Sequence, residues 1–419
     1  TVVSVARRLA TAPLLFVLAL LAFIGCGDDD GSSSTTIRFA HFWSEPSQKA
    51  ILEERIAAFT AANPGVEVET IELSWNDGKQ KLFAMFDGNQ VPDVIELGSD
   101  WVAQFAESGR LLEMTGTVAT PSSVPVGLAA PGIWDGKTFA RPWVVASRAL
   151  FANTDILDAA GVDLTSIDSW EGVLAAAETI NSKLGGTDAK IEGIGVNGDD
   201  ANRLFKKVLP LVWTLGGGLV DAEGNPTLAR PENIRALEFY LTLARNGRVD
   251  SQRELDQQFL AGRIGFWLSG PWLIDRIDND NPELQFSVLP MPTLEGRVGV
   301  GIVGGEYLAI GRDSDNLPLA KKFVAFLTSP SEALTFSKGL KGGFAPADGA
   351  SGDDPYLTEG HQAAMTSQLS TGRMTPVHPQ WLEIQELFEE AIALAMTADA
   401  TAEEALGAAQ EKALEKMRK

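Results

Sequence analysis

The chain has 419 residues, of which 45% are hydrophobic, and a formal net charge of −22 at pH 7. This length exceeds what one compact core usually holds, so we expect two domains or lobes. The hydrophobic content is ordinary for a globular protein. The negative charge argues against nucleic acid and against an anionic membrane surface as partners, because both repel acidic proteins.

The first 25 residues have the pattern of a signal peptide. Arg7 and Arg8 precede an apolar run at residues 14–24 that is short for a membrane span. Residues 23–26 (Phe-Ile-Gly-Cys) resemble the processing box of bacterial lipoproteins, which implies a lipid on Cys26 and a flexible tether at residues 26–35. The alternative interpretation is an uncleaved anchor helix with an incidental cysteine. Cys26 is the only cysteine, so no intrachain disulfide bond can form.

Strands and helices alternate in the next part of the chain. We predict strands at residues 37–42, 66–73 and 91–97 and helices at 47–63, 77–87 and 100–108. This order predicts a parallel, layered α/β sheet. Ligands of such sheets bind beyond the carboxyl ends of the strands. The rule selects loops that contain Trp43, Ser44, Glu45, Trp75, Asp100 and Trp101.

A second alternating block begins near Asn153 and predicts the second lobe. It contains a predicted strand at residues 192–196 and helices at 170–184, 202–215, 231–246 and 251–261. Trp213 lies about one turn before a run of three glycines. Further helices are predicted at residues 317–327, 331–338, 381–396 and 401–416.

Residues 266–311 carry the features of a hinged pocket. An apolar segment breaks at Ser269-Gly270-Pro271-Trp272, where Pro271 suits the first position of a helix and holds Trp272 at its mouth. An extended segment at residues 286–289 follows, and then Gly304-Gly305-Glu306-Tyr307. Backbone freedom, an anchored indole and a few hydrogen-bonding groups predict a pocket for a polar ligand.

This ordered series resembles the bacterial extracellular solute-binding proteins of ABC transporters, in particular the maltose-binding-protein-like sugar binders. The matching motifs are Gly-Pro-Trp at 270–272, Pro-Asp-Val-Ile-Glu-Leu-Gly-Ser-Asp-Trp at 92–101 and Gly-Gly-Phe-Ala-Pro at 342–346. The resemblance extends from about residue 36 to the end. It implies a two-lobe α/β fold with a hinge and an interlobe ligand cleft. One lobe would comprise residues 36–144 and 307–347, and the other residues 145–306 and 348–419.

The resemblance also implies which residues form the site. Asp100 occupies the place of a sugar-bonding Asp of the family, whereas Leu97 and Trp101 replace a tryptophan and an arginine. Ser147 and Arg148 are the nearest polar side chains to Ala146, where the family's maltose binder has a glutamate. The remaining predicted ligand-binding residues are Trp213, Trp272, Gly305, Glu306, Tyr307, Phe344 and Trp381.

The chemistry of these residues suits a sugar. Indoles cover the C–H faces of a sugar ring, while carboxylates such as Glu45, Asp100 and Glu306 accept hydrogen bonds from its hydroxyl groups. For each tryptophan the alternative is a packing role, and for each carboxylate it is a solvated surface position.

We therefore expect a solute-binding lipoprotein of an ABC importer, held at the outside of the membrane by its lipid. It would bind a sugar or oligosaccharide as a monomer and deliver it to the permease, without a cofactor, metal or nucleic acid. A polyol or other small polar solute is an alternative ligand, and Arg148 would support a charged one. A secreted glycosidase is the alternative class, because two carboxylates suffice for that chemistry. The histidines His41, His361 and His378 lie far apart in sequence and form no recognisable enzyme motif.

Overall fold

The computed structural model describes residues 35–186, 190–198, 200, 203–341, 344–347 and 354–417. The predicted signal peptide, nearly all of the predicted tether and the predicted lipidation site Cys26 lie outside these residues. Within the described part of the chain, no helix combines the length and the apolar character that crossing a bilayer requires.

The strands form two main sheets and one small hairpin. In chain order they are β1 Thr35–His41, β2 Val66–Glu72, β3 Val94–Gly98, β4 Ile133–Trp134, β5 Lys137–Thr138, β6 Ala140–Ser147, β7 Ala149–Asn153, β8 Glu192–Asn197, β9 Arg248–Asp250, β10 Ile264–Ser269, β11 Phe286–Leu289, β12 Val303–Ile310 and β13 Ala345–Pro346.

The first lobe is built on a six-stranded sheet in the order β13-β6-β12-β3-β1-β2. Strand β1 pairs in parallel with both β2 and β3, which confirms the parallel sheet predicted from the alternating elements. Strand β12 enters the same sheet antiparallel to β3 and β6. The second lobe has a five-stranded sheet in the order β11-β7-β10-β8-β9.

Helices cover both sheets on both faces. They are α1 Pro46–Ala62, α2 Gly78–Asp87, α3 Val102–Glu107, α4 Val126–Ala129, α5 Thr154–Ala160, α6 Trp170–Leu184, α7 Phe205–Thr214, α8 Pro231–Arg245, α9 Gln252–Leu260, α10 Trp272–Asp280, α11 Leu317–Leu327, α12 Pro330–Leu340, α13 Pro355–Thr358, α14 Gln362–Ser367, α15 Trp381–Met396 and α16 Ala402–Met417, with short 3-10 turns at Ala130–Gly132 and Leu164–Ser166. Pro271 directly precedes α10 instead of occupying its first position.

The hydrophobic core follows from this layering. In the first lobe, Phe59 of α1, Phe323 of α11 and Phe336 of α12 share a cluster with the inner side chains of the sheet. In the second lobe, Phe259 of α9 and Ile274 of α10 pack against one face of the sheet. The burial of these side chains supplies most of the stabilisation of each lobe.

The chain crosses between the lobes three times. The first crossing is at Arg148, because β6 still pairs with β12 at Ser147↔Val303 and β7 of the other sheet starts at Ala149. The second lies between β11 and β12. The boundaries expected at 144/145 and 306/307 therefore fall inside β6 and β12. The third crossing passes Arg373, which forms an isolated parallel β-bridge with Ile302. This crossing lies C-terminal to the boundary expected at 347/348, because Leu357 still packs against the first lobe.

Candidate functional site

A cleft of about 920 Å³ lies between the two lobes. Its first wall consists of the loops after β1, β2 and β3 and of adjacent residues of β3 and β12. The three loops meet there because the carboxyl ends of these parallel strands lie at one edge of the sheet. Its second wall consists of residues from α7, α9 and α10. Arg148 of the first crossing and Ile302 of the second line the cleft between the walls.

Most of the predicted site residues line this cleft. They are Trp43, Ser44, Glu45, Trp75, Asp100, Trp101, Arg148, Trp272, Gly305, Glu306 and Phe344. Trp43 and Trp101 are only 4% and 2% exposed, so little of either ring is available to a ligand. Trp75 and Trp272 are half-buried and present more of their surface.

Four of the predicted residues lie away from the cleft. Ser147 and Tyr307 follow cleft-lining strand residues, and neighbouring side chains of a strand point to opposite faces. The hydroxyl group of Ser147 accordingly donates a 2.7 Å hydrogen bond to the carbonyl of Met365, and that of Tyr307 donates to the carbonyl of Leu128. Two tryptophans, Trp213 and Trp381, pack in the hydrophobic core and are 6% and 1% exposed.

Three carboxyl groups, those of Glu96, Asp100 and Glu306, line the first wall. Glu306 of β12 faces Gly98 of β3, and Leu308 faces Glu96, so the two glutamates lie diagonally on one face of the sheet. The backbone N–H of Phe42 donates a 2.9 Å hydrogen bond to Oε2 of Glu96. Among the described residues, no three acidic, histidine or cysteine side chains are placed to hold a metal ion.

Each of these carboxyl groups has one oxygen without a partner. Oε1 of Glu96, Oδ2 of Asp100 and Oε2 of Glu306 are buried and accept no hydrogen bond from the described residues. An unpaired buried polar atom costs about 1–3 kcal/mol. These oxygens therefore mark positions where hydrogen-bonding groups of a ligand would be favourable. Glu96 was missed by the sequence analysis, and its only signal was an acidic residue inside an otherwise apolar strand.

Burial changes the protonation of this wall. Burial raises the pKa of Glu306 to about 8. The positive charges of Lys206 and Arg148 act against this shift, and the negative charge of Asp100 adds to it. Burial also raises the pKa of Glu96 well above its usual range, and the charge of Glu306 adds to this. Desolvation disfavours the ionised form of a carboxyl group.

Two cations of the cleft face these carboxyl groups. Burial lowers the pKa of Arg148 to about 10, so this guanidinium group stays charged at neutral pH. Burial also lowers the pKa of Lys206, and the charge of Asp100 opposes the shift. Among the described residues, neither Arg148 nor Lys206 forms an ion pair within 4.0 Å with Asp100 or Glu306. Space therefore remains between opposite charges for a polar ligand.

Trp272 is held in place on the second wall. Its Nε1 donates a 3.0 Å hydrogen bond to Oδ2 of Asp256, and the guanidinium carbon of Arg148 lies 4.4 Å from the centre of its ring. The ring also lies against Gly270, where an added Cβ would come within 2.1 Å of it. Asp256 lines the cleft but was not predicted, because it is one of several polar residues in α9.

Trp75 is held on the first wall by other aromatic rings. It stacks on Phe42 with ring centres 4.1 Å apart and planes 22° apart, and Trp101 meets it at 5.3 Å. Trp43 instead packs against Trp143, Phe336 and Phe344. Trp75 therefore exposes more of its ring to a ligand than Trp43 does.

One hydrogen bond joins the two walls directly. The hydroxyl group of Ser47, in α1 of the first lobe, donates to Oδ2 of Asp275, in α10 of the second lobe, at 3.2 Å. Nδ2 of Asn279 donates to the other oxygen of Asp275 at 3.1 Å. Both Ser47 and Asp275 line the cleft. They are separated by 228 residues in sequence, so no local pattern could predict the contact.

The two lobes, the three crossings and the cleft between the lobes define a solute-binding protein. The model of the bacterial extracellular solute-binding proteins matches residues 43–334. The chain belongs to this family, which confirms the resemblance noted in the sequence and supports a location outside the cytoplasm.

Individual relatives match over most of the chain. The diacetylchitobiose binding protein DasA of Streptomyces coelicolor is 28% identical, with 88% of each chain covered. The arabinooligosaccharide-binding protein of Halalkalibacterium halodurans is 26% identical over 72% of this chain and 68% of that protein. Among solved structures, the GacH receptor of Streptomyces glaucescens, determined unliganded and with acarbose, has a TM-score of 0.80 at 23% identity and covers 90% of this chain and 97% of its own. This similarity confirms the two-lobe α/β fold.

Proposed function

We propose that the protein binds a sugar or oligosaccharide in the interlobe cleft and delivers it to the permease of an ABC importer. One observation carries the proposal: in a cleft of about 920 Å³, which two half-buried tryptophans help to line, three carboxyl groups each keep a buried oxygen without a partner. Hydroxyl groups satisfy such oxygens, and the C–H faces of a sugar ring suit an indole.

The charges of the cleft favour a neutral ligand. Glu306 and Asp100 lie on one side, and Arg148 and Lys206 face them. A hydroxyl group donates to a carboxylate and accepts from a cation, so a polyhydroxyl ligand satisfies both sets. The two relatives described above bind oligosaccharides according to their names, which agrees with this assignment.

The lobes and the lipid anchor belong to the same proposal. Closure of the two lobes about the three crossings would trap the solute, and the closed form would dock on the permease. Lipid on Cys26 and the tether at residues 26–35 would keep a monomeric receptor near the transporter. We propose no catalytic step and no cofactor.

Calorimetric titration tests the proposal. The chain from Cys26 onward would be titrated with N,N′-diacetylchitobiose, maltotriose, an arabinotriose and glycerol 3-phosphate, the last because Arg148 and Lys206 line the cleft. We expect one saturable site for a sugar. Chromatography of the incubated sugars should show no cleavage products. Absence of binding to every sugar would contradict the proposal, and cleavage would move the protein to the glycosidase class.

A further inference from the structure

The cleft contains a pair of acids, one buried and one half-buried, that the proposed function alone does not explain. Glu96 is 0% exposed, and it lies diagonally across the β3–β12 pair from Glu306. Such diagonal neighbours are roughly 7–8 Å apart at the backbone, which is within reach of two long side chains. Both glutamates line the cleft, and each has one oxygen without a hydrogen-bond partner.

The surroundings of this pair compensate only part of its charge. Glu306 faces Lys206 of α7, Arg148 of the first crossing and Asp100 of the loop after β3. Glu96 receives the backbone N–H of Phe42 and the negative charge of Glu306. Two like charges in one desolvated place do not both ionise readily, so protons leave such a pair in two separate steps.

We propose that Glu96 and Glu306 share one proton in the ligand-free cleft at neutral pH, and that the protonated carboxyl group donates a hydrogen bond to an oxygen of the bound solute. The second part rests on the proposed function. The pair then offers one donor beside the carboxylate acceptors of the same wall. One sugar hydroxyl group accepts from the acid and donates to a carboxylate, so the wall recognises hydroxyl groups and disfavours anionic groups.

The arrangement predicts how binding depends on pH. When the shared proton is lost, the donor disappears and two negative charges face each other. Affinity for a hydroxyl-bearing solute should therefore fall as the pH rises through the pKa of Glu306, which burial raises to about 8.

Carboxyl NMR of the ligand-free protein tests the shared proton. The chain from Cys26 onward, labelled with 13C at the glutamate carboxyl carbons, would be titrated from pH 5 to 10. The Glu306→Gln and Glu96→Gln variants each lack one signal and so assign the pair. We expect one of the two signals to titrate at or above pH 7, and the midpoint of Glu96 to fall by more than one unit in Glu306→Gln. Titration of both signals below pH 5.5 would overturn the proposal.

Thermal unfolding gives an independent measurement. A carboxyl group with a raised folded-state pKa contributes stability below its unfolded pKa and loses it as the pH rises through the folded value. Between pH 5 and 8 the wild-type Tm should therefore fall relative to that of Glu306→Gln. Glu113→Gln is the matched control, because Glu113 pairs at 3.1 Å with Lys137 on the surface. Parallel curves for wild type and both variants would contradict the shared proton.

Sugar binding at two pH values tests separately whether the protonated carboxyl group donates a hydrogen bond to the solute. N,N′-diacetylchitobiose and maltotriose would be titrated at pH 6.5 and 9.5. At least tenfold weaker binding at the higher pH supports the donor, and equal binding at both values overturns it. If neither sugar binds at either pH, the proposed function fails, whereas the NMR titration still decides whether the proton is shared.

Discussion

The indole nitrogen of Trp272 donates a 3.0 Å hydrogen bond to Oδ2 of Asp256, a carboxylate that is only 3% exposed. Oδ1 of Asp256 accepts from Nε1 of Trp267 at 2.7 Å and from the hydroxyl group of Ser269 at 3.0 Å. One carboxylate thus connects α9, the end of β10 and the tryptophan that lines the cleft. A ring fixed before the ligand arrives loses little conformational freedom on binding.

Replacing Asp256 by Asn should free the indole of Trp272. The variant has one acceptor oxygen in place of two, so we expect about fivefold weaker sugar binding, about 1 kcal/mol. Loss of charge-assisted hydrogen bonds should also lower the free energy of unfolding by about 2 kcal/mol. Indole 15N–1H NMR of the ligand-free protein measures the direct effect.

The Trp272 signal, assigned with Trp272→Phe, should be among those that move most in Asp256→Asn. Asp87→Asn is the control, because Asp87 pairs with Arg110 at 2.7 Å away from the cleft. An unmoved Trp272 signal in Asp256→Asn would show that the carboxylate does not position the ring.

Gly270→Ala should displace the same ring from the other side. The added methyl group would lie 2.1–2.7 Å from atoms of the Trp272 ring, which is closer than any van der Waals contact allows. The indole must rotate, and we expect tenfold or greater loss of affinity, about 1.4 kcal/mol. Gly127→Ala is the control, because nothing lies within 4 Å of its added Cβ. Calorimetry that gives equal affinities for the two variants would exclude a binding role for the observed ring position.

Ser47→Ala should favour opening of the cleft. The variant removes the donor to Asp275 across the cleft, a hydrogen bond to a carboxyl group worth about 1.5 kcal/mol. The ratio of closed to open molecules should therefore fall about tenfold. Single-molecule energy transfer between labels on the two lobes of the ligand-free protein measures this ratio. Ser166→Ala is the control, because it removes only a surface hydrogen bond to Asp163, and it should leave the ratio of closed to open molecules unchanged. An equal ratio in Ser47→Ala and wild type would refute the cross-cleft contact.

Local sequence patterns predicted the parallel part of the fold because it is built from local elements. The order of β1, α1, β2, α2 and β3 could be read from hydrophobic periodicity and from breakers such as Asn63-Pro64-Gly65. The rule for the carboxyl ends of parallel strands then located three cleft loops correctly. The entry of β12 between β3 and β6 has no local signal, so the first two boundaries of the lobes were displaced by a few residues.

The parts of the site that could not be predicted depend on the direction in which a side chain points and on contacts between residues that are distant in sequence. A residue number does not say which face of a strand or helix a side chain occupies, so Tyr307 and Trp381 were selected although both are buried elsewhere. Glu96 looked like part of a buried strand. Asp256 and Asp275 act through contacts that only the folded second lobe and the approach of the two walls create.

The most direct test of the account is tryptophan fluorescence of the chain from Cys26 onward, titrated with N,N′-diacetylchitobiose, maltotriose and an arabinotriose. Wild type, Trp272→Ala and the control Trp134→Phe, a half-buried ring in the small hairpin, would be compared. The account predicts a saturable fluorescence change with at least one sugar. Binding of that sugar should be at least tenfold weaker in Trp272→Ala and unchanged in Trp134→Phe. A flat response to every sugar, or equal affinity in wild type and Trp272→Ala, would contradict it.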